Sequence, residues 1–570
     1  MIRRVHFTGG DKVGWAIDED LRLVREALAG ECESTSLAQA EAVHVPWWVN
    51  VLPFSRDELR GKHVVCTAEN SPFYYITEPE FLKARERVTQ WIVRSHEGAA
   101  QFAALGIASR YAPYTFDPAI FHPLAPDSAP VLDLVRRWKI PADRYLVANF
   151  HRDTEGADLQ SPKLQKGPDL FLEIVALLHA RGAPIHVLLA GPRRFFLRRS
   201  LAARGVPFTF VGEDTGDRDD LAENTLPRTA LNVLYSVADL HLVSSRWEGG
   251  PQSVLESAAT RCKILSTRVG LAPDVLEAEC LFGDAIEACE AIERDIAAGA
   301  LDRTIEPQHA RVHASHTEPE LRRHMREIYR SLEPLPPVRT SPLAGLGRSL
   351  RRAAGRFQTK ESAPSFAVLH RGKQDAFLTA LCTELTARGC TVRRNALDPA
   401  PDAILLGSLP ADDSLRDCAA PVIAFVDGDA EVQRMDCAIV PSLDAYVEWR
   451  AKRALPARVL VFALPGEDGA TPAEDVCIVS RGMSAACIQQ ALAHGIPVVY
   501  PADSHAGQLV WFGGLAYRGE ADLAAKLDTV RRHYAMFQRL AMPPAIGPVA
   551  DRLIRLVGVL RESMNDEHRN

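Results

Sequence analysis

A chain of 570 residues, 47% apolar and 24% charged, has the length of three or four compact units and the composition of an ordinary folded protein. A formal net charge of -7 and a pI near 6.2 argue against a chain built mainly to bind nucleic acid, and they leave room for a local basic site facing a phosphorylated ligand. The eleven cysteines form no C-x-x-C pair, so they read as buried thiols of a reducing compartment.

The apolar run behind Arg3 and Arg4 is too short for a secretory signal, and no window approaches a membrane span. The expected location is cytoplasmic, with peripheral contact at the inner face of a membrane left open.

Short β-branched runs alternate with helical patterns from end to end, which predicts an α/β chain of βαβ units and parallel sheets. Val5–Phe7 leads through a turn at Gly9 and Gly10 into the amphipathic DEDLRLVREAL. HVVCTAEN and WIVRSHE follow as strands with polar ends, and YAPYTFDPAIFHP reads as a connection between domains. A second series runs RYLVANFHR, LQKGPDLFLEIVALLHARG, IHVLLAGP, FTFVGED, ADLHLVSS and KILSTRVG, and closes on ELRRHMREIYRSL. The expected boundaries are 1–125 for a first Rossmann-like domain and 126–333 for a second with its closing helices.

Residues 334–364 shift to Pro, Ser, Gly and Arg and read as a linker. Within it Leu343, Leu346, Leu350 and Phe357 share a helical face, with Arg348, Arg351, Arg352 and Arg356 mostly elsewhere. Such a helix docks on its own protein or lies on anionic lipid, which makes 343–357 the place for any peripheral membrane contact. Residues 365–562 resume the α/β rhythm in shorter form, and 563–570 are a polar tail.

The chemistry concentrates in SRWEGGPQSVLESAA, 245–259. In open α/β sheets ligands bind beyond the carboxyl ends of the strands, where helix N-termini attract anions. Gly249 and Gly250 allow close backbone approach, and Pro251 suits the start of a helix. Glu248 and Glu256 would repel a phosphate, so their expected partners are hydroxyls. A nucleoside-diphosphate sugar offers both kinds of group. Cations for its diphosphate are at hand in Arg152, at the end of YLVANF, and in Lys163 and Lys166, the latter opening the next helix with Gly167.

Glu248-GGPQSVL-Glu256, with HVLLAGP, FTFVGED and the flanking ADLHLVSSRW, resembles the Glu-seven-Glu motif of family 4 retaining glycosyltransferases, which have the GT-B fold of two Rossmann-like domains. DPAIFHP is similar to the segment joining those domains. The resemblance covers about residues 1–333 and is strongest over 145–276. It implies that Glu256 holds the ribose hydroxyls, Glu248 faces the donor sugar, and Arg152 with Lys166 neutralises the diphosphate. Gly9 and Gly10 would approach the donor from the opposite domain. It also implies transfer with retained configuration, without a protein nucleophile, a metal or any cofactor, onto a glycan or lipid-linked acceptor of surface polysaccharide synthesis. The segment between Arg152 and Lys166 is longer than the family's, which leaves Lys163 as the alternative phosphate contact. UDP and GDP both remain open as the nucleotide.

Acceptor candidates are Asp11, Trp15, Glu69 and His96, near strand ends or glycine turns, with aromatic faces in HVPWW (44–48) and SPFYY (71–75). The second copy, RGMSAACIQ, puts Arg481 where Glu248 stands and Gln489 where Glu256 stands, and is read as a degenerate, non-catalytic relative. Asp427-Gly428-Asp429 is a minor metal option. A sugar-nucleotide epimerase and a glycan-binding scaffold are the alternative functions.

Overall fold

The computed structural model describes residues 2–10, 16–333 except 77 and 157, 335, 364–369, 376–394, 401, 403–406, 422–425, 437–440, 459–461, 477–478, 488, 491, 498–501, 514–517, 523, 527 and 546–567. Asp11, Trp15, the 343–357 helix pattern, Asp427–Asp429, Arg481 and Gln489 lie outside the described residues.

Two six-stranded parallel sheets carry the first 333 residues. The first holds β1 (Arg4–Phe7), β2 (Glu33–Ser34), β3 (Ala42–Val45), β4 (His63–Ala68), β5 (Gln90–Val93) and β6 (Ser109–Tyr111), in the order β2-β1-β3-β4-β5-β6. The second holds β7 (Tyr145–Asn149), β8 (Ile185–Ala190), β9 (Phe208–Val211), β10 (Leu240–Val243), β11 (Lys263–Thr267) and β12 (Leu281–Phe282), in the order β12-β11-β10-β7-β8-β9. β3, β4 and β10 are buried at every position, as strands covered by helices on both faces must be. This is the α/β, Rossmann-like architecture the alternation of patterns predicts.

Helix packing is read from the same residues. Pro168 opens the Pro168–Ala180 helix, and Phe171, Leu172, Ile174, Val175 and Leu178 at helical spacing fill the second sheet's core. The Glu318–Ser331 helix differs from the expected boundary at 126–333. Its apolar stripe of Leu321, Met325, Ile328 and Tyr329 joins Val5, Val24, Val65 and Ile92 in the core of the first sheet. The chain therefore returns to its first domain before leaving it, and the stripe packs on the first sheet and on Val24, Ala27 and Leu28 of the Ala16–Leu28 helix.

By contacts the chain forms two compact units, one of 1–50, 62–72 and 88–335, the other of 51–61, 73–87 and 336–570. The segments 51–61 and 73–87 thus leave the expected 1–125 domain, since Leu82 on the Pro79–Arg87 helix sits in one apolar cluster with Phe366, Leu381 and Leu553. The second unit has its own six-stranded parallel sheet: β13 (Ser365–Leu369), β14 (Thr391–Arg394), β15 (Ala403–Leu406), β16 (Val422–Phe425), β17 (Cys437–Val440) and β18 (Val459–Val461), ordered β14-β13-β15-β16-β17-β18. A three-stranded parallel sheet follows, β19 (Cys477–Ile478), β20 (Val498–Pro501) and β21 (Gly514–Tyr517). No described helix is long and apolar enough to cross a membrane.

Candidate active site

The motif occupies the end of β10 and the helix Gln252–Ala259, which begins after Pro251 with no side chain capping it. The Val254 amide donates to the Pro251 carbonyl at 2.9 Å, and the Gln252 and Ser253 amides before it receive no side-chain cap. Glu248 meets Lys166 there: the ammonium lies 2.5 Å from Oε1. Three features deliver Lys166 to that place. Gly167 adopts a left-handed conformation (φ 60°) with its Cα against the Ser244 carbonyl, so that any Cβ would overlap that oxygen. Ser244 Oγ donates to the Lys166 carbonyl at 3.2 Å. Arg246 makes a two-pronged pair with Asp169, 2.6 Å on each prong, and donates to the Leu164 carbonyl at 3.1 Å.

Lys163 lies 3.4 Å from Glu155. Burial, with the positive charges of Arg152 and Lys166, holds its ammonium below the usual lysine range, while Glu155 opposes that shift. The long segment between Arg152 and Lys166 is a closed excursion. Thr154 and Pro162 form an antiparallel bridge, and the Lys163 amide donates to the Asp153 carbonyl at 2.8 Å. Asp153 and Thr154 in turn accept from the Phe196 amide at the start of the Phe195–Arg204 helix. The extra length is thereby folded away, and Arg152, Lys163 and Lys166 stay one electrostatic group.

Glu256 is buried, 8% exposed. Tyr235 donates to it at 3.2 Å, and Arg228 stands 4.0 Å off. Burial raises its affinity for a proton, against the opposing pull of Arg228 and the Tyr235 hydrogen bond. The two motif carboxylates therefore sit in different settings, one against a lysine and one against a phenol and a distant guanidinium.

The glycines make their close approaches to protein atoms. The Gly249 amide donates to the Glu69 carbonyl at 3.1 Å, and Gly250 lies against the Tyr114 ring. Gly9 lies against Asn50, and Gly10 against the Asp18 carboxylate. Glu69 is thus brought to the motif, though by its backbone. Its carboxyl accepts from Tyr114 and leaves Oε1 enclosed without a partner among the described residues. Burial, with the negative charge of Asp20, pushes it up to about 8 against the opposing effects of Arg94 and Tyr114. Arg94 pairs with Asp20 and stacks over Tyr114, 5.1 Å from the ring centre.

His96 stands apart from that group. It is stacked on Tyr111 at 4.6 Å, and its amide donates to Asp274 at 2.9 Å. In HVPWW, His44, Val45, Pro46 and Trp48 are interior, so only Trp47 keeps a partly open ring. The described residues contain no cluster of three metal-ligating side chains.

Sequence reasoning missed several groups: Arg246, Tyr235, Arg228, Arg94 with Tyr114, and His151. Arg246 stands inside the singled-out stretch, and its signal was there, an arginine directly before the aromatic residue and the glutamate. His151 stands directly before Arg152, and its partner Ser253 is 102 residues away in sequence; Tyr235, Arg228, Arg94 and Tyr114 lie on other elements and become neighbours only through the fold.

No protein-family model and no curated protein matches the chain. Among solved structures it is similar to a sucrose-phosphate synthase from Thermosynechococcus elongatus, at 18% identity over 55% of this chain and 77% of that one, with a TM-score of 0.41. It is similar to HepE from Anabaena in complex with UDP and glucose, at 14% identity over 58% of this chain and 100% of the other, TM-score 0.43. A UDP-forming α,α-trehalose-phosphate synthase from Burkholderia vietnamiensis shares 15% identity over 51% and 71% of the two chains, TM-score 0.40.

Proposed function

We propose that the chain is a retaining, metal-independent glycosyltransferase that moves a sugar from a nucleoside-diphosphate sugar to a glycan or lipid-linked acceptor. The observation that carries the reading is the meeting of Lys166 and Glu248 at 2.5 Å beside a helix N-terminus no side chain caps. Cations and a helix start without a side-chain cap suit a diphosphate, and carboxylates suit sugar and ribose hydroxyls.

In this reading Arg152 and Lys166, with Lys163 in support, stabilise the negative charge that grows on the leaving diphosphate. Preorganised charge of that kind lowers the barrier without a protein nucleophile. Glu248 orients the donor sugar. Glu256, held by Tyr235, takes the ribose hydroxyls. The acceptor hydroxyl attacks from the face the diphosphate leaves, and its proton passes to a departing phosphate oxygen.

The test is a panel of sugar nucleotides and nucleoside diphosphates screened by thermal shift and titration calorimetry. A specific nucleotide should raise the melting temperature by mass action. A flat response to every nucleotide would remove the reading. Conversion of a bound donor into an isomeric sugar nucleotide, without acceptor, would replace transfer by epimerisation.

A further inference from the structure

His151 directly precedes Arg152, and its ring packs edge-on against His241, 5.6 Å between centres. His151 Nε2 lies 2.8 Å from Ser253 Oγ, in the first turn of the Gln252–Ala259 helix. His151 Nδ1 is buried and has no partner among the described residues. Burial, with the positive charge of Lys166, holds the ring well below the ordinary histidine range, so it is neutral at neutral pH and carries one proton.

That proton has two places. On Nδ1 it would be a buried donor without an acceptor, the costlier of the two defects. On Nε2 it is donated to Ser253 Oγ, and Nδ1 keeps only a bare lone pair. The second arrangement fixes the serine as well. Its oxygen accepts from His151, so its own hydrogen must point elsewhere, and the uncapped helix mouth lies on that turn.

We infer that His151 is a positioning residue, which holds the Ser253 hydroxyl as a hydrogen-bond donor to a phosphate oxygen of the nucleoside diphosphate. The inference rests on the glycosyltransferase reading, and it adds a neutral donor to the cations Arg152, Lys163 and Lys166. A hydroxyl donates to a phosphate oxygen without adding charge, so it fixes orientation more than it draws the anion in.

The experiment is calorimetric titration of the full chain with UDP and with GDP, on the wild type, Ser253→Ala, His151→Leu, His151→Gln and the Ser253→Ala/His151→Leu double variant. With the tighter nucleotide, Ser253→Ala and His151→Leu should each weaken binding about tenfold or more, as loss of a hydrogen bond to a charged group does. The double variant should lose no more than either single change. The Gln amide can supply the Nε2 donor, so His151→Gln should stay within about threefold of wild type. A purely structural histidine would give additive losses in the double variant, or a lowered melting temperature with unchanged affinity. Either result overturns the inference, as does unchanged affinity in Ser253→Ala, which needs no variant at His151 to fold. If the wild type binds neither nucleotide, the functional reading fails instead, and the two failures are told apart by that control.

Discussion

A buried carboxylate with one phenolic donor and a guanidinium 4.0 Å away holds spare acceptor capacity, and Glu256 is such a group. Ribose hydroxyls would complete its hydrogen bonding at a place where water is already excluded. Glu256→Ala should therefore weaken nucleotide binding by about 1.5–3 kcal/mol, the usual worth of hydrogen bonds to a charged group. Calorimetry with the preferred nucleoside diphosphate measures this, and an unchanged Kd would move the ribose elsewhere. Glu69 supports a prediction of a different kind. Its carboxyl binds a proton up to about pH 8 in the fold, against an ordinary value of 4.5. Between those values the native chain holds the proton and the unfolded chain does not, so this group's contribution to stability is full below about pH 4.5 and is lost as pH rises towards 8. Glu69→Gln removes the titration while keeping an acceptor for Tyr114. Urea unfolding from pH 5 to 9 should show wild type losing stability relative to Glu69→Gln as pH rises, then levelling. A constant difference across that range would mean Glu69 does not retain its proton.

At the scale of elements, Lys166 is placed by the junction between β10 and the Pro168–Ala180 helix. Gly167→Ala puts a methyl group onto the Ser244 carbonyl at a backbone angle that disfavours side chains, and should cost about 3 kcal/mol or more in denaturant unfolding. Arg246→Lys keeps the charge and loses the two-pronged geometry with Asp169. It should lower kcat more than it lowers stability, by loosening Lys166; equal activity with lowered melting temperature would make the clamp purely structural. The strands and the Lys-Gly helix start were legible in sequence, because apolar runs of strand length and a glycine at a helix start follow from backbone physics alone. The purpose of Gly249 was legible only in part. The sequence shows that something approaches closely there, and the fold supplies the Glu69 carbonyl, 180 residues away and from the other sheet. The clamp by Arg246 was hidden for the same reason, since its partner Asp169 is remote in sequence. The Glu318–Ser331 stripe was legible as amphipathic, but which sheet it covers depends on the path of the chain.

At the scale of the whole molecule, the two units share a strand order. β14-β13-β15-β16-β17-β18 repeats the pattern of β2-β1-β3-β4-β5-β6, the sheet without the Glu-seven-Glu motif. The three-stranded sheet β19-β20-β21 corresponds in order to β10-β11-β12. Only the fifteen residues 462–476 separate β18 from β19, far fewer than the roughly 30 residues that one βαβ unit requires. Counterparts of β7, β8 and β9 cannot fit in that interval. The end of β7 carries Arg152 and leads to Lys166, and the interval 462–476 holds no lysine or arginine in their place. The sequence adds that Arg481 and Gln489 replace the two glutamates. On these grounds we propose one donor site per chain, and two measurements on the full chain check it. Titration with the preferred nucleotide should saturate at one equivalent. The Glu248→Gln/Lys166→Ala double variant, which leaves the second unit untouched, should lose sugar transfer to the level of a no-enzyme control. Transfer persisting in that variant, or a second equivalent of bound nucleotide, would place a working donor site in residues 365–562 despite the missing strands.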